Sequence, residues 1–276
     1  MIWVYNLPSW LVCFVFVFGL AGAALAGHRL WRRVVTLEYN AETTGLAMGM
    51  LAIVAMILSL LLAFSSVSVW DAYSGADSAA ASEASVAGEL VRDLAVYGGP
   101  AANATREAVR VYLQSIIAEE WPAMAKGGRS ETASHKFNDI FRKAAGINPK
   151  SAREQIILAE IWDKTNELNV FRRTRLNSAG GSAVPGALWG TLALCILFNF
   201  LLFYGMPLTR VSDFMLGLYA ATLGLMLFFI VAMDRPFSGS VSVSPDSYKT
   251  TLQSMQRWDS EGPAVKNGRP QPPAEK

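Results

Sequence analysis

The chain has 276 residues, 52% of them hydrophobic and only 17% charged, whereas an ordinary soluble domain is about a quarter charged. Its net charge of +2 gives no field to recruit nucleic acid, and two cysteines, Cys13 and Cys195, cannot build a disulfide framework. With His28 and His135 as the only histidines, no Cys/His cluster has zinc spacing, so neither a metal nor another cofactor is expected.

Four long stretches carry no Asp, Glu, Lys or Arg, and a bilayer core needs about 20 apolar residues as helix. The first stretch, residues 10–27, is followed by His28, Arg29, Arg32 and Arg33. The second covers residues 43–70 and is closed by Asp71; the third is placed at 185–205; the fourth, 214–233, is bracketed by Asp213 and Asp234. Lipid offers the backbone no hydrogen-bond partner, so all four are expected as helices. Trp10, Trp31, Trp70, Trp189 and Tyr204 sit at their ends, where amphipathic rings prefer the headgroup level. Ala24-Leu25-Ala26 resembles a signal-peptidase site, but positive charge follows the apolar core instead of preceding it, which favours a retained helix.

The region between the second and third stretches reads as helix throughout. Val86, Leu90, Leu94 and Val96 give one apolar face, and Tyr97-Gly98-Gly99-Pro100 breaks it. Asn103 or Thr105 is the expected cap of the next helix, which carries Val109, Tyr112, Leu113, Ile116 and Ile117. Lys126-Gly127-Gly128 stops that helix, and a short one around Phe137, Ile140 and Phe141 ends at Gly146. Ser151 and Glu154 form a capping box for the last helix, which runs through Ile157, Ile161, Leu168 and Phe171 towards Arg175. After Asp234 one short helix is expected over residues 246–258, with disorder from about residue 262. The expected organisation is therefore an all-α membrane protein with four transmembrane helices. Helices one and two take residues 1–70, a helical extramembrane domain 71–184, helices three and four 185–233, and an extramembrane tail 234–276.

Small residues recur at helical spacing: Gly19, Ala23 and Gly27 in helix one; Gly45, Gly49, Ala52, Met56, Ser59, Ala63 and Ser66 in helix two; Gly186 and Gly190 in helix three. Small side chains let membrane helices approach closely, which is the ordinary reading. For the long stripe of helix two a second reading is a pore face. Arg172, Arg173 and Arg175 read as a lipid-headgroup anchor or as an anion-attracting vestibule. Glu119 and Glu120 are adjacent and point about 100° apart on a helix, so they do not face each other. No facing carboxylate pair, phosphate loop or nucleophile elbow is present, and no enzyme is expected.

Several motifs resemble those of the bestrophin-like family of bacterial membrane proteins. They are Tyr39-Asn40-Ala41-Glu42 at the start of helix two, Ala63-Phe64 and Val69-Trp70 towards its end, Glu119-Glu120-Trp121-Pro122-Ala123-Met124, and Asp234-Arg235-Pro236-Phe237-Ser238-Gly239. More distantly the chain resembles bestrophins proper, which are pentameric anion channels with a pore lined by the second helix. The resemblance implies a homo-oligomer passing small anions such as chloride, in contact with membrane lipids and without nucleic acid as a partner. The acidic run of the animal members' calcium clasp is missing, so calcium gating is not implied. Met50, Ile53, Met56, Ile57, Leu60 and Phe64 are the candidates for a dewetting constriction. A bacterial inner membrane is the implied location. Arg29, Arg32 and Arg33 argue for a helical domain outside, Arg172, Arg173 and Arg175 for one inside. The resemblance places the domain and both termini in the cytoplasm. The alternative to a channel is a non-conducting, membrane-anchored helical scaffold or sensor, since no intramembrane charge marks an ion path.

Overall fold

The structure, a computed structural model, describes residues 5, 7–35, 40–207 and 209–261. Tyr39 of the family motif and the tail from residue 262 lie outside the described residues. Among those described there is no strand. The helices are α1 Ser9–Val34, α2 Ala41–Tyr97, α3 Gly99–Ser115, α4 Trp121–Ala125, α5 Glu131–Ala144, α6 Ala152–Ala179, α7 Gly186–Phe203, α8 Arg210–Met233 and α9 Asp246–Glu261. One π-helical stretch, Ile116–Glu120, joins α3 to α4. Four helices, α1, α2, α7 and α8, are long and apolar enough to cross a membrane.

The chain forms two compact units. One takes the described residues of Met1–Gly75 and Gly181–Ser242, the other those of Ala76–Gly180 and Val243–Lys276. The described residues 243–261 of the tail belong to the second unit.

In the first unit α1 packs along α8. A Cβ at Gly224 would lie 2.3 Å from the carbonyl oxygen of Phe16, so glycine there lets the two backbones touch. Leu58, Leu62 and Val69 of α2 join Leu192, Ile196 and Phe200 of α7 and Leu216, Ala220 and Ile230 of α8 in the core. Thr209 caps α8 in a reciprocal box with Ser212. His28 is fully buried, stacked on the Tyr204 ring at 5.4 Å with Nε2 3.4 Å from the Met206 carbonyl.

In the second unit Leu90 and Leu94 of α2 are buried, as are Val109 and Leu113 of α3, Ile140 of α5 and Ile161 and Leu168 of α6. Gly98 and Gly99, at φ 73° and 85°, turn the chain between α2 and α3. This places the start of α3 before the expected caps: Asn103 and Thr105 lie inside the helix, and the Thr105 hydroxyl donates to the Ala101 carbonyl. Pro100 stands in the first turn, where its missing N–H leaves no bond unmade. Ser151 accepts from the Glu154 N–H, while the Glu154 carboxylate takes the Lys150 N–H, so the capping box closes one residue earlier than the ideal form. Arg106 and Arg110 pair with Asp259, and the Thr251 hydroxyl donates to the Ala84 carbonyl, fixing α9 to α3 and α2.

Candidate functional site

Two features stand out, one in each unit. The first is a face of α2. Leu58, Leu62, Ser65 and Val69 turn into the bundle and are buried. The small-residue stripe lies about a third of a turn away, at about 100° per residue. Gly45, Gly49, Ala52, Met56, Ser59 and Ala63 are exposed and Ser66 is half-buried. A Cβ at Gly45 or Gly49 would meet nothing within 4 Å, so neither glycine serves packing inside the protomer. The hydroxyls of Ser59 and Ser66 donate to the Ala55 and Leu62 carbonyls of their own helix, leaving the stripe electrically quiet. Beside it Met50, Ile53, Met56, Ile57, Leu60 and Phe64 are exposed, Phe64 at 64% and Met56 at 67%. The helix opens with Thr43 N–H donating to Asn40 Oδ1 at 2.7 Å and Asn40 N–H to Thr43 Oγ1 at 3.3 Å, with Glu42 exposed in the first turn. That gives Asn40 of the motif a capping role.

The second feature is a buried ion-pair network. Arg175 is fully buried and donates from Nε to Glu83 Oε2 at 2.6 Å, from Nη2 to Glu83 Oε1 at 3.2 Å and from Nη2 to Glu120 Oε2 at 2.6 Å. Arg172 reaches the other oxygen of Glu120 at 3.0 Å and the Ser134 hydroxyl at 3.0 Å. The Tyr112 and Tyr248 hydroxyls both donate to Glu83, Tyr248 at 2.9 Å. Two carboxylates and two guanidiniums thus close on each other, which is the condition for burying charge at all. Burial and the facing Glu83 carboxylate push both tyrosines well above their ordinary ionisation, so they remain donors. Burial alone would lower Arg175, but Glu83 holds it well above its ordinary value.

The Glu-Glu-Trp-Pro motif is what aims this network. The Trp121 N–H bonds the Ile116 carbonyl five residues back, closing a π turn just before Pro122. A proline inside a continuing helix removes a backbone donor and crowds the preceding turn, and the π turn is the local relief. Glu120 then points inward, fully buried, while Glu119 stays exposed and accepts from Ser130. The Trp121 indole donates to the Val243 carbonyl at 3.2 Å and meets the Tyr248 ring edge-on; Pro122 is exposed.

The reading of the arginines as a lipid anchor or open vestibule is corrected for two of the three. Arg172 and Arg175 are buried among carboxylates, because they continue the apolar stripe of Ile161, Thr165 and Leu168 on α6. Only Arg173, off that stripe, is exposed. Asp234 is buried too: its carboxylate accepts from the Ser182 hydroxyl at 2.7 Å and the Val184 N–H at 3.0 Å, pinning the lead into α7 to the end of α8. Pro236 and Phe237 are buried behind it. The small pairs of helices one and three play no packing part here: Gly19, Ala23, Gly186 and Gly190 are exposed, and only Gly27 is in close contact, with Tyr204.

Residues 18–248 match the bestrophin-like domain. A crystal structure described as that of a membrane protein has a similar fold, with a TM-score of 0.64 at 13% identity, over 90% of this chain and 97% of the other. No curated protein matches.

Proposed function

The chain belongs to the bestrophin-like family, and from that premise we propose that it forms an oligomeric membrane channel for small anions such as chloride, its conduit lined by the exposed small-residue face of α2. The observation that carries this reading is that face itself: Gly45, Gly49, Ala52, Met56, Ser59 and Ala63 are exposed, no charged side chain stands among them, and a Cβ at Gly45 or Gly49 would meet nothing within 4 Å. Small side chains leave room for ions, and the neighbouring Met56, Leu60 and Phe64 can form a constriction that gates by dewetting. The second unit is then an extramembrane helical domain, held rigid by the ion-pair network, so that Arg172 and Arg175 serve architecture and only Arg173 remains as a vestibule charge. In a bacterial inner membrane the domain and both termini lie in the cytoplasm, with lipids around a ring of about five identical subunits related by a closed cyclic symmetry.

Native mass spectrometry of the detergent-solubilised protein, followed by anion flux in liposomes, tests it. A closed ring with flux that rises on Phe64→Ala supports the channel. A monomer or simple dimer leaves no symmetric conduit and moves the reading to a non-conducting scaffold or sensor.

A further inference from the structure

A cavity of about 480 Å³ opens in the first unit between α7 and α8, with Phe16 of α1 also lining it. It falls within the size range of ligand cavities, about 300–1,000 Å³. Trp189, Leu192 and Ile196 wall it from α7, and Leu227 and Val231 from α8. From Trp189 to Ile196 the wall is about 10 Å long at about 1.5 Å per residue. Along α8 the same line runs on to Asp234 and Arg235, and Tyr5 closes that end. The cavity therefore has an elongated apolar body and one charged mouth, inside the unit whose helices are apolar enough to span a membrane.

The chemistry of the mouth selects the sign of the ligand. Asp234 is only 5% exposed, and its carboxylate accepts from the Ser182 hydroxyl, the Val184 N–H and the Tyr5 hydroxyl. Arg235 is half-buried, its guanidinium 5.9 Å over the Tyr5 ring. Burial, with the nearby Asp234 charge, pushes the Tyr5 hydroxyl up to about 12, so at neutral pH it keeps its proton. With the Tyr5 O–H donating to Asp234, the arginine fork is the donor left at the mouth for an oxyanion. Trp189, in the first turn of α7, marks the headgroup level. An ion alone has no use for the apolar wall, and a plain hydrocarbon has none for the arginine.

We propose that this cavity holds one acyl chain of an anionic amphiphile, the chain lying along α7 and α8 and its phosphate or carboxylate at Arg235. The occupant is a phospholipid of the bilayer or a free fatty acid, which share this chemistry. The site does not depend on ion conduction.

The test uses the full chain in liposomes with diazirine-tagged acyl chains on phosphatidylglycerol, phosphatidylcholine or free palmitate, with adducts mapped by peptide mass spectrometry. Adducts on residues 189–196 and 227–231 are expected from phosphatidylglycerol or from palmitate, whichever source fills the site, and in excess over phosphatidylcholine. Ala193→Trp, which fills the cavity, is expected to lose these adducts while those on other peptides persist. Arg235→Gln is expected to keep them but lose the preference for the anionic lipid. In the wild-type protein, excess unlabelled phosphatidylglycerol or palmitate competes the adducts away and phosphatidylcholine does not, a readout that needs no variant to fold. Equal labelling by phosphatidylglycerol, palmitate and phosphatidylcholine in the wild type overturns the proposal. So do adducts that persist in a folded Ala193→Trp protein, or a cross-link from this wall to a second copy of the chain.

Discussion

Between residues 43 and 70, α2 carries no charged side chain and turns its smallest residues outward; beyond Gly75 the same unbroken helix buries a carboxylate, Glu83, at the centre of the second unit. The first stretch avoids charge by composition. The second tolerates it because every charge in the network meets an opposite one within hydrogen-bond distance. One helix passes from one regime to the other because its backbone bonds are internal in both. What changes is the use of the side chains: in the first unit the outward face is free for another function, and in the second the inward face is fixed by electrostatics.

The sharpest way to break that contrast is Arg175→Met. It leaves Glu83 and Glu120 buried without their shared guanidinium, and a loss of about 3–5 kcal/mol is expected in urea unfolding followed by tryptophan fluorescence. Arg173→Met, exposed and off the stripe, should stay within about 0.5 kcal/mol in the same assay. Equal effects would mean the network does not hold the unit.

Gly224→Ala comes next. Its methyl must displace α1 from α8, at about 1–3 kcal/mol. Gly49→Ala meets open space and should leave protomer stability unchanged or raise it by up to about 1 kcal/mol, its effect appearing in flux instead. A destabilised Gly49→Ala protomer would place the stripe in packing after all.

A smaller effect, about 1.5 kcal/mol, is expected for Tyr248→Phe, which removes one hydrogen bond to a charged acceptor. The pH dependence sharpens this. Tyrosines of the unfolded chain ionise near pH 10, while burial and Glu83 hold Tyr112 and Tyr248 well above that. Their contribution is complete below about pH 10 and is lost as pH rises towards the folded values. Unfolding titrations of Tyr248→Phe should therefore show a shallower alkaline fall than the wild type; an identical fall would remove Tyr248 from the network.

Much of the fold was legible because its causes are local. A charge-free run long enough to span lipid, a Gly-Gly-Pro break after Tyr97 and a Ser-x-x-Glu cap at Ser151 each announce themselves within a few residues. The network was not, because Glu83 and Glu120 meet Arg175 across 92 and 55 positions. Glu119 and Glu120 look alike until a π turn separates them, and such a turn leaves no pattern beyond the proline that follows. A signal was nonetheless present. Glu83 stands three and seven residues before Val86 and Leu90, and Arg172 and Arg175 continue the spacing of Ile161 and Leu168, so charges fell on apolar stripes and needed partners. The close helix contact at Gly224 was hidden for the opposite reason: one glycine in an apolar run says nothing of what backbone approaches it, whereas the regular pairs that drew notice, such as Gly186 and Gly190, face outward.

The most direct test of the α2 face is thiol block of anion flux. Cysteine is placed at Ala52 or Ala63 in a background where Cys13 and Cys195 are alanine, and a charged methanethiosulfonate is added to proteoliposomes. The account predicts flux in the unmodified protein and its loss on modification at either position, with no change in the cysteine-free background. Flux that survives full modification at both positions would contradict a conduit lined by this face.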